Sequence, residues 1–318
     1  MSYDFNTHFS KLFEGSSPKE LYIPIVYALS TGGKRLRPRL VSTACTMMGG
    51  QLDDAIPAME AIEVFHNFTL LHDDIMDNAD VRRNRPTVHK QFDENTAILS
   101  GDAMMIEAYR RLEAMPTEMW PVVFPLFSQT AIEICRGQQL DKNFETASSV
   151  SLADYLEMIR LKTAVLLACS LKMGALAAHA DSRDADLLYT VGENIGMAFQ
   201  LQDDYLDLYG DPKTFGKAIG GDVACKKKTF LYILAHEVDD IRVKERLNLY
   251  YSSDDILLSD RLNLIRELYN KNLIPQRYEE HLHRYLRCAD EALTAVNVSE
   301  EAKAPLRALI EKIAQRNN

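Results

Sequence analysis

Apolar residues recur along this chain at the three- and four-residue spacing of a helix face, almost from end to end. Between Asp54 and Met76 they fall at Ile56, Met59, Ala61, Ile62, Val64, Phe65, Phe68, Leu70 and Leu71. That is a broad apolar stripe on one long helix, with Pro57 accommodated in its first turn. The same periodicity predicts helices over Ala103–Met115, Tyr155–Ala180, Asp184–Leu208, Thr229–Val238 and Asp254–Tyr269. No segment alternates apolar and polar positions as a half-buried strand would. Turn chemistry separates the helices at Gly32-Gly33, Gly49-Gly50, Pro86, Gly210-Asp211-Pro212 and Gly220-Gly221. No long linker, low-complexity tract or repeat interrupts them. The expectation is an all-α helical bundle forming a single domain over residues 1–318. Small residues crowd Leu166–Ala180, which suits close packing of a buried central helix.

Two polar clusters break the apolar pattern in the same way. Asp73-Asp74-Ile75-Met76-Asp77 closes the long helix, and Asp203-Asp204-Tyr205-Leu206-Asp207 repeats its spacing on another helix. Asp73 and Asp77 are i,i+4, so their carboxylates share a face, and they stand at a helix end that disfavours negative charge. Cations resolve that conflict, and a hard ion such as Mg²⁺ bridges carboxylates to phosphates through oxygen ligands. A single acidic helix end is as readily a solvated one; the recurrence favours a pair of metal-binding walls facing across a bundle.

Composition then narrows the partners. The net charge is −10, so nucleic acid is an unsuitable general partner, because phosphate-backbone affinity needs concentrated Lys and Arg. The cations that exist are grouped in islands: Gly32-Gly33-Lys34-Arg35-Leu36-Arg37-Pro38, Arg82-Arg83-Asn84-Arg85-Pro86-Thr87 and Lys226-Lys227-Lys228-Thr229. Basic islands beside acidic motifs suit small anions such as a diphosphate. Lys162-Thr163 lies inside an apolar helix, where a cation needs an anionic partner. The five cysteines, Cys45, Cys135, Cys169, Cys225 and Cys288, have no C-x-x-C pair and an odd count, so buried reduced thiols in a cytoplasmic protein are expected. The N-terminus lacks the pattern of a signal peptide, and the most apolar stretch, Ala164–Leu171, is too short to span a bilayer.

These motifs, in this order, resemble the polyprenyl synthetase family of trans-isoprenyl diphosphate synthases. The resemblance runs from Gly32 to about Thr229 and includes Gly137-Gln138-Gln139-Leu140-Asp141, Phe199-Gln200 and Gly216-Lys217. Asn84 departs from it, standing where the family often has Gly. The resemblance implies a helical bundle around a central cavity, usually a homodimer, that joins isopentenyl diphosphate to an allylic diphosphate. It implies that Lys34, Arg37, His66 and Arg83 hold isopentenyl diphosphate, and that Arg82, Lys162, Thr163, Gln200, Lys217 and Lys227 contact the allylic diphosphate. Asp73, Asp77, Asp203 and Asp207 would hold Mg²⁺, about three ions once a diphosphate is bound, with Asp74 in support. Catalysis would then fall to Asp73, Asp74, Asp77, Lys162, Asp203, Lys217 and Lys227. Read without the family, His66 is an ordinary core histidine.

Product length is carried by the resemblance to residues four and five places before the first motif, Thr69 and Phe68. One aromatic there resembles short-chain synthases, hence farnesyl or geranylgeranyl diphosphate, with a longer polyprenyl product as the alternative. At ~100° per residue, Thr69, Phe65 and Ile62 lie more nearly below Asp73 than Phe68 does, so Phe65 is a deeper candidate floor. Two rivals are weaker. A class I terpene cyclase needs no site for isopentenyl diphosphate, and a non-catalytic helical subunit has no need of the complete set of aspartates and cations. Residues 240–318 carry no motif, and a packing role is expected for them.

Overall fold

The computed structural model describes residues 3–211, 219–253 and 255–314. The described residues are helical nearly throughout, in the order α1 (Phe5–Lys11), α2 (Lys19–Ser30), α3 (Leu36–Met47), α4 (Leu52–Met76), α5 (Val88–Gln91), α6 (Glu94–Leu112), α7 (Trp120–Thr146), α8 (Leu152–Ile159), α9 (Val165–Ala177) and α10 (Ser182–Tyr209). A short helix α11 (Gly221–Ala224) follows, then α12 (Phe230–His236), α13 (Ile241–Ser252), α14 (Leu258–Lys271), α15 (Ile274–Ala295) and α16 (Glu300–Ala314). They group into two compact units. One comprises the chain up to Ser128 with Ser170–Asp186; the other comprises Gln129–Cys169 and the chain from Leu187 onward.

In the first unit α4 is the central element, packed against α3 and α6. Its apolar positions are buried almost all round, from Ala55 through Met59, Ile62 and Phe65 to Leu71, as a core helix requires. The Gln51 N–H donates to Asp54 Oδ2 over 2.8 Å and satisfies one group at its start. Asn78, in the left-handed region at φ 48°, ends it. The Asn78 and Ala79 N–H groups turn back to the Ile75 and Asp74 carbonyls, the double bond of a Schellman stop. The helix starts two residues before the periodicity suggested, so Pro57 stands in its second turn rather than its first.

One strand-like feature was not legible in the pattern. Val81–Arg82 and Arg85–Pro86 pair antiparallel, with Arg83 (φ 52°) and Asn84 (φ 60°) between them. Two-residue hairpin loops of the favoured kind need positive φ at both central residues, and Asn is among the few side chains that tolerate it. That explains how Asn84 serves where a glycine would be usual.

The predicted run over 155–180 is helical as far as Ala177, and its middle, Arg160–Ala164 in the second unit, is a π turn in which the Val165 N–H reaches back to the Arg160 carbonyl. Gly192 and Gly196 of α10 let that helix lie directly on it. A Cβ at Gly196 would stand 2.4 Å from Ala164 Cα, and one at Gly192 would stand 2.5 Å from Ala168 Cα. The motif-free C-terminal part builds core, with Leu247, Ile265, Tyr269, Ile274 and Tyr278 buried in one cluster with Phe230 and Leu234. Packing is thus a role those residues have. No helix is long and apolar enough to cross a membrane among the described residues.

The cysteines depart from expectation. Cys45 and Cys169 are buried, but Cys135, Cys225 and Cys288 are exposed, and none of the five is in a disulfide. Each exposed thiol occupies the outer side of its element, which one-dimensional spacing does not reveal.

Candidate active site

The first aspartate motif divides its labour by helix geometry. Successive residues on α4 differ by ~100°, so Asp74 points away from the face that Asp73 and Asp77 share. Asp74 is 5% exposed. Arg82 Nε donates to both its oxygens, over 2.8 and 2.9 Å, and Arg82 Nη2 stands 2.7 Å from Oδ1. The same Nη2 lies 3.6 Å from Asp73. Burial raises the Asp74 pKa, and the Arg82 contribution only partly offsets it. Burial opposes the charge of Arg82 too, but the bonds to Asp74 and the fields of Asp73 and Asp77 prevail and raise its pKa. Asp74 therefore anchors Arg82, while Asp73 is half-buried and Asp77 exposed on the outward face.

Arg37 and His66 form a half-buried pair in this unit, with Arg37 Nη1 donating to His66 Nε2 over 3.0 Å. A guanidinium has no lone pair to offer, so Nε2 accepts and the ring carries its proton on Nδ1. Burial, then the positive fields of Arg37, Arg83, Arg82 and Arg35, hold His66 well below its usual pKa and so neutral. Burial pulls the Arg37 guanidinium down to about 10, which leaves it charged at neutral pH. Its Nε is buried without a hydrogen-bond partner, an unmet demand for an anion. Arg83 lies across the Gly32-Gly33 turn and donates to the Gly32 carbonyl. A Cβ at Gly33 would come within 2.8 Å of Arg83 Cζ, so glycine there makes the contact possible. Lys34 is exposed beside it. Arg35, inside the same basic island, is structural: it is buried, donates to Glu63 and Asn6, and reaches the Leu29 carbonyl.

The chain-length candidates sit one to three turns below Asp73 on α4. Phe65 and Phe68 are buried, with ring centroids 5.3 Å apart. Phe65 also meets Phe127 edge-on at 5.2 Å, and Phe68 meets His72 edge-on at 4.8 Å. Thr69 is half-buried and returns its hydroxyl to the His66 carbonyl over 2.8 Å.

The second unit repeats the logic of the first. Asp204, also 5% exposed, is turned inward. It accepts from the Tyr155 hydroxyl, from Gln200 Nε2 over 3.0 Å and from the Phe230 N–H over 3.2 Å. Burial and the Asp222 carboxylate push its pKa up to about 7 despite those donors. Gln200 in turn accepts from the Thr163 hydroxyl over 3.1 Å, so Thr163, Gln200, Asp204 and Tyr155 form one chain. Lys162 pairs with Asp141 at 2.6 Å, the anionic partner its setting demands. The π turn presents both Lys162 and Thr163, and Gly137 of α7 clears the way: a Cβ there would lie 2.4 Å from the Lys162 nitrogen. Asp203 and Asp207 are half-buried on the other face of α10, and Asp207 Oδ2 accepts the Asp222 N–H over 3.0 Å. Lys227 is exposed just after α11. Gly216 and Lys217 lie outside the described residues.

Three pairings carry no signal in the sequence. Tyr155 reads as one more apolar position of α8, and it is 49 residues from the Asp204 it serves. Asp141 falls inside a motif without a stated role. The Arg35–Glu63 bond joins residues 28 apart. Spacing within a helix announces none of them.

The outward carboxylates fit a hard divalent cation. Asp73, Asp77, Asp203 and Asp207 offer oxygen donors alone, with no thiolate or imidazole that would favour a softer metal. Among the described residues no three His, Cys, Asp or Glu side chains form a ready-made metal cage.

Helical units that each carry an aspartate-rich face beside half-buried cations suit diphosphate chemistry. The polyprenyl synthetase family model matches residues 18–265. A geranylgeranyl diphosphate synthase of Methanosarcina mazei is 41% identical over 229 residues, 71% of each chain. A geranylfarnesyl diphosphate synthase of Aeropyrum pernix is 40% identical over 235 residues, 72% of this chain and 74% of that one. A crystal structure of a geranylgeranyl pyrophosphate synthase superposes with a TM-score of 0.93 at 40% identity, covering 99% of this chain and 97% of the other. The chain belongs to the polyprenyl synthetase family. It is a prenyltransferase that makes short-chain trans-prenyl diphosphates.

Proposed function

We propose that this chain condenses isopentenyl diphosphate with an allylic diphosphate, head to tail, to give geranylgeranyl diphosphate, using Mg²⁺ held by Asp73, Asp77, Asp203 and Asp207. The observation that carries the reading is the matched construction of the two motifs. In each, the second aspartate is buried and bonded into the scaffold, Asp74 to Arg82 and Asp204 to Tyr155, while the first and last remain on one outward face. When bound, the metal, about three ions with a diphosphate, supplies positive charge to the leaving diphosphate. Arg82 brings a permanent cation to the same face as Asp73, and Lys162 and Thr163 bring a cation and a hydroxyl donor, with Gln200 held beside them. Lys217 and Lys227 add charge to the allylic diphosphate. Together these groups favour heterolysis of the allylic C–O bond, because the charge leaving carbon is met by donors already in place.

Arg37, Lys34 and Arg83 hold the diphosphate of isopentenyl diphosphate. His66, neutral, keeps Arg37 aimed by accepting its Nη1 proton. The isopentenyl double bond then attacks the allylic cation, and a proton passes to the departed diphosphate, which restores an alkene. No side-chain base is required. Geranylgeranyl diphosphate rather than a longer product is supported by the aromatic floor of Phe65 and Phe68 under Asp73.

The family match runs through both units without a break, which supports reading residues 1–318 as one functional domain. A homodimer completes the proposal, and exposed Ile98, Leu99 and Ile106 on α6 offer an apolar face for it. A cytoplasmic setting agrees with five cysteines outside any disulfide. The deciding experiment incubates the protein with Mg²⁺, isopentenyl diphosphate and, separately, dimethylallyl, geranyl and farnesyl diphosphates. Geranylgeranyl diphosphate as the main product is expected. A folded protein that elongates none of the primers would overturn the reading.

A further inference from the structure

Phe68 does not stand alone on α4. One turn later His72 lies edge-on to its ring at 4.8 Å, and His72 Nε2 donates to the Ile98 carbonyl of α6 over 3.3 Å. Beneath the imidazole is Gly101 of α6. A Cβ at that position would come within 2.2 Å of His72 Nε2 and 2.6 Å of Cδ2, so the ring occupies space that every other residue would fill. Gly101 is buried in the middle of a 19-residue helix, a place where glycine weakens the helix relative to alanine. Glycine therefore runs against local preference here, and what its notch admits is the His72 ring. On the other side of Phe68 the contacts continue to Phe65, to Phe127 of α7 and, at 4.9 Å, from Phe127 to Tyr109 of α6. The ladder is braced at both ends by α6. The end nearer the aspartates is the His72–Gly101 seat.

We propose that His72 is a specificity-determining positioning residue: seated over Gly101 and tied to the Ile98 carbonyl, it fixes the ring of Phe68 and so the depth at which a growing prenyl chain stops. This rests on the reading above that the Phe68 level forms the floor. Without the imidazole, Phe68 has no edge contact on that side and its ring turns into the space left, which deepens the floor. A methyl at Gly101 does the same from α6, by expelling His72 from its seat.

The test compares prenyl chain-length distributions, normalised to total product so that lost turnover does not enter, for wild type, His72→Ala, His72→Phe, Gly101→Ala and Phe68→Ala. Phe68→Ala gauges the floor reading itself and lengthens the product. In His72→Ala and Gly101→Ala the share of products longer than the wild-type main product rises by about 3- to 10-fold, the factor an edge-on aromatic contact is worth. His72→Phe restores a ring at the seat and returns the wild-type distribution, which a general loss of structure would not do. A wild-type distribution from a folded His72→Ala, alongside longer products from Phe68→Ala, overturns the role of His72 and leaves the floor reading standing. Unchanged products from Phe68→Ala overturn both.

Discussion

Tyr155→Phe isolates the bond that holds the second aspartate motif to its scaffold. The substitution removes one oxygen and leaves the ring in its buried place on α8. Asp204 then keeps two donors, Gln200 Nε2 and the Phe230 N–H, of the three it has. A hydrogen bond to a charged buried group is worth about 1.5–3 kcal/mol net, or roughly 10- to 150-fold in the folding equilibrium. The assay is urea unfolding in metal-free buffer at about pH 8.5, where a carboxyl that titrates at about 7 is ionised. Burial and the Asp204 charge hold the Tyr155 hydroxyl well above its usual pKa, so it remains a donor there. With a slope of about 3 kcal/mol per molar, the midpoint falls by about 0.5–1 M. Asp204→Asn and the double variant complete a cycle whose coupling energy reports the bond itself, about 1 kcal/mol or more. A coupling indistinguishable from zero, with both single variants folded, would refute the claim that Tyr155 locks this motif.

Other expectations follow from the same geometry. Asp73→Ala and Asp203→Ala each lower turnover by about 100-fold or more while the far-ultraviolet helical signal is retained, and near-normal turnover would remove them from the metal site. His66 has its pKa depressed below its unfolded value, so its contribution to stability is complete above about pH 6.5 and is lost as pH falls toward the folded pKa. From about pH 7.5 to about pH 5.5 this costs wild type about 1.4 kcal/mol that His66→Gln does not lose, and equal losses in denaturation curves would contradict it. A thiol reagent modifies Cys135, Cys225 and Cys288 in the native protein, but Cys45 and Cys169 only on unfolding. Burial pushes the Cys45 thiol up to about 11, and rapid native labelling of Cys45 would show that its environment is misread.

Much of this protein could be read before any fold was known. Helix periodicity is a local property, so α4, α10 and α14 emerge from the spacing of their own apolar residues to within a few positions. The pairing of Asp73 with Asp77, and of Asp203 with Asp207, is equally local, since i,i+4 residues share a face wherever the helix is placed. Lys162 in an apolar run announced that it needed an anion, because an unpaired buried charge is too costly to keep.

Which anion answered, Asp141, was decided only by the way α7 packs on the π turn across Gly137. The inward roles of Asp74 and Asp204 are of the same kind. Sequence placed each between two aspartates proposed to hold metal, but only the folded chain supplied Arg82 to one and Tyr155 to the other. The Arg83-Asn84 turn, the outward face of three cysteines and the His72 ring over Gly101 also depend on what a second segment brings into contact. Sequence by itself determined the helices and the chemistry they carry, because both follow from residues within a turn or two of one another. Tertiary structure decided which carboxylates face solvent, which cations are clamped and where the His72 ring is seated, because those are settled by segments distant in the chain meeting at van der Waals contact.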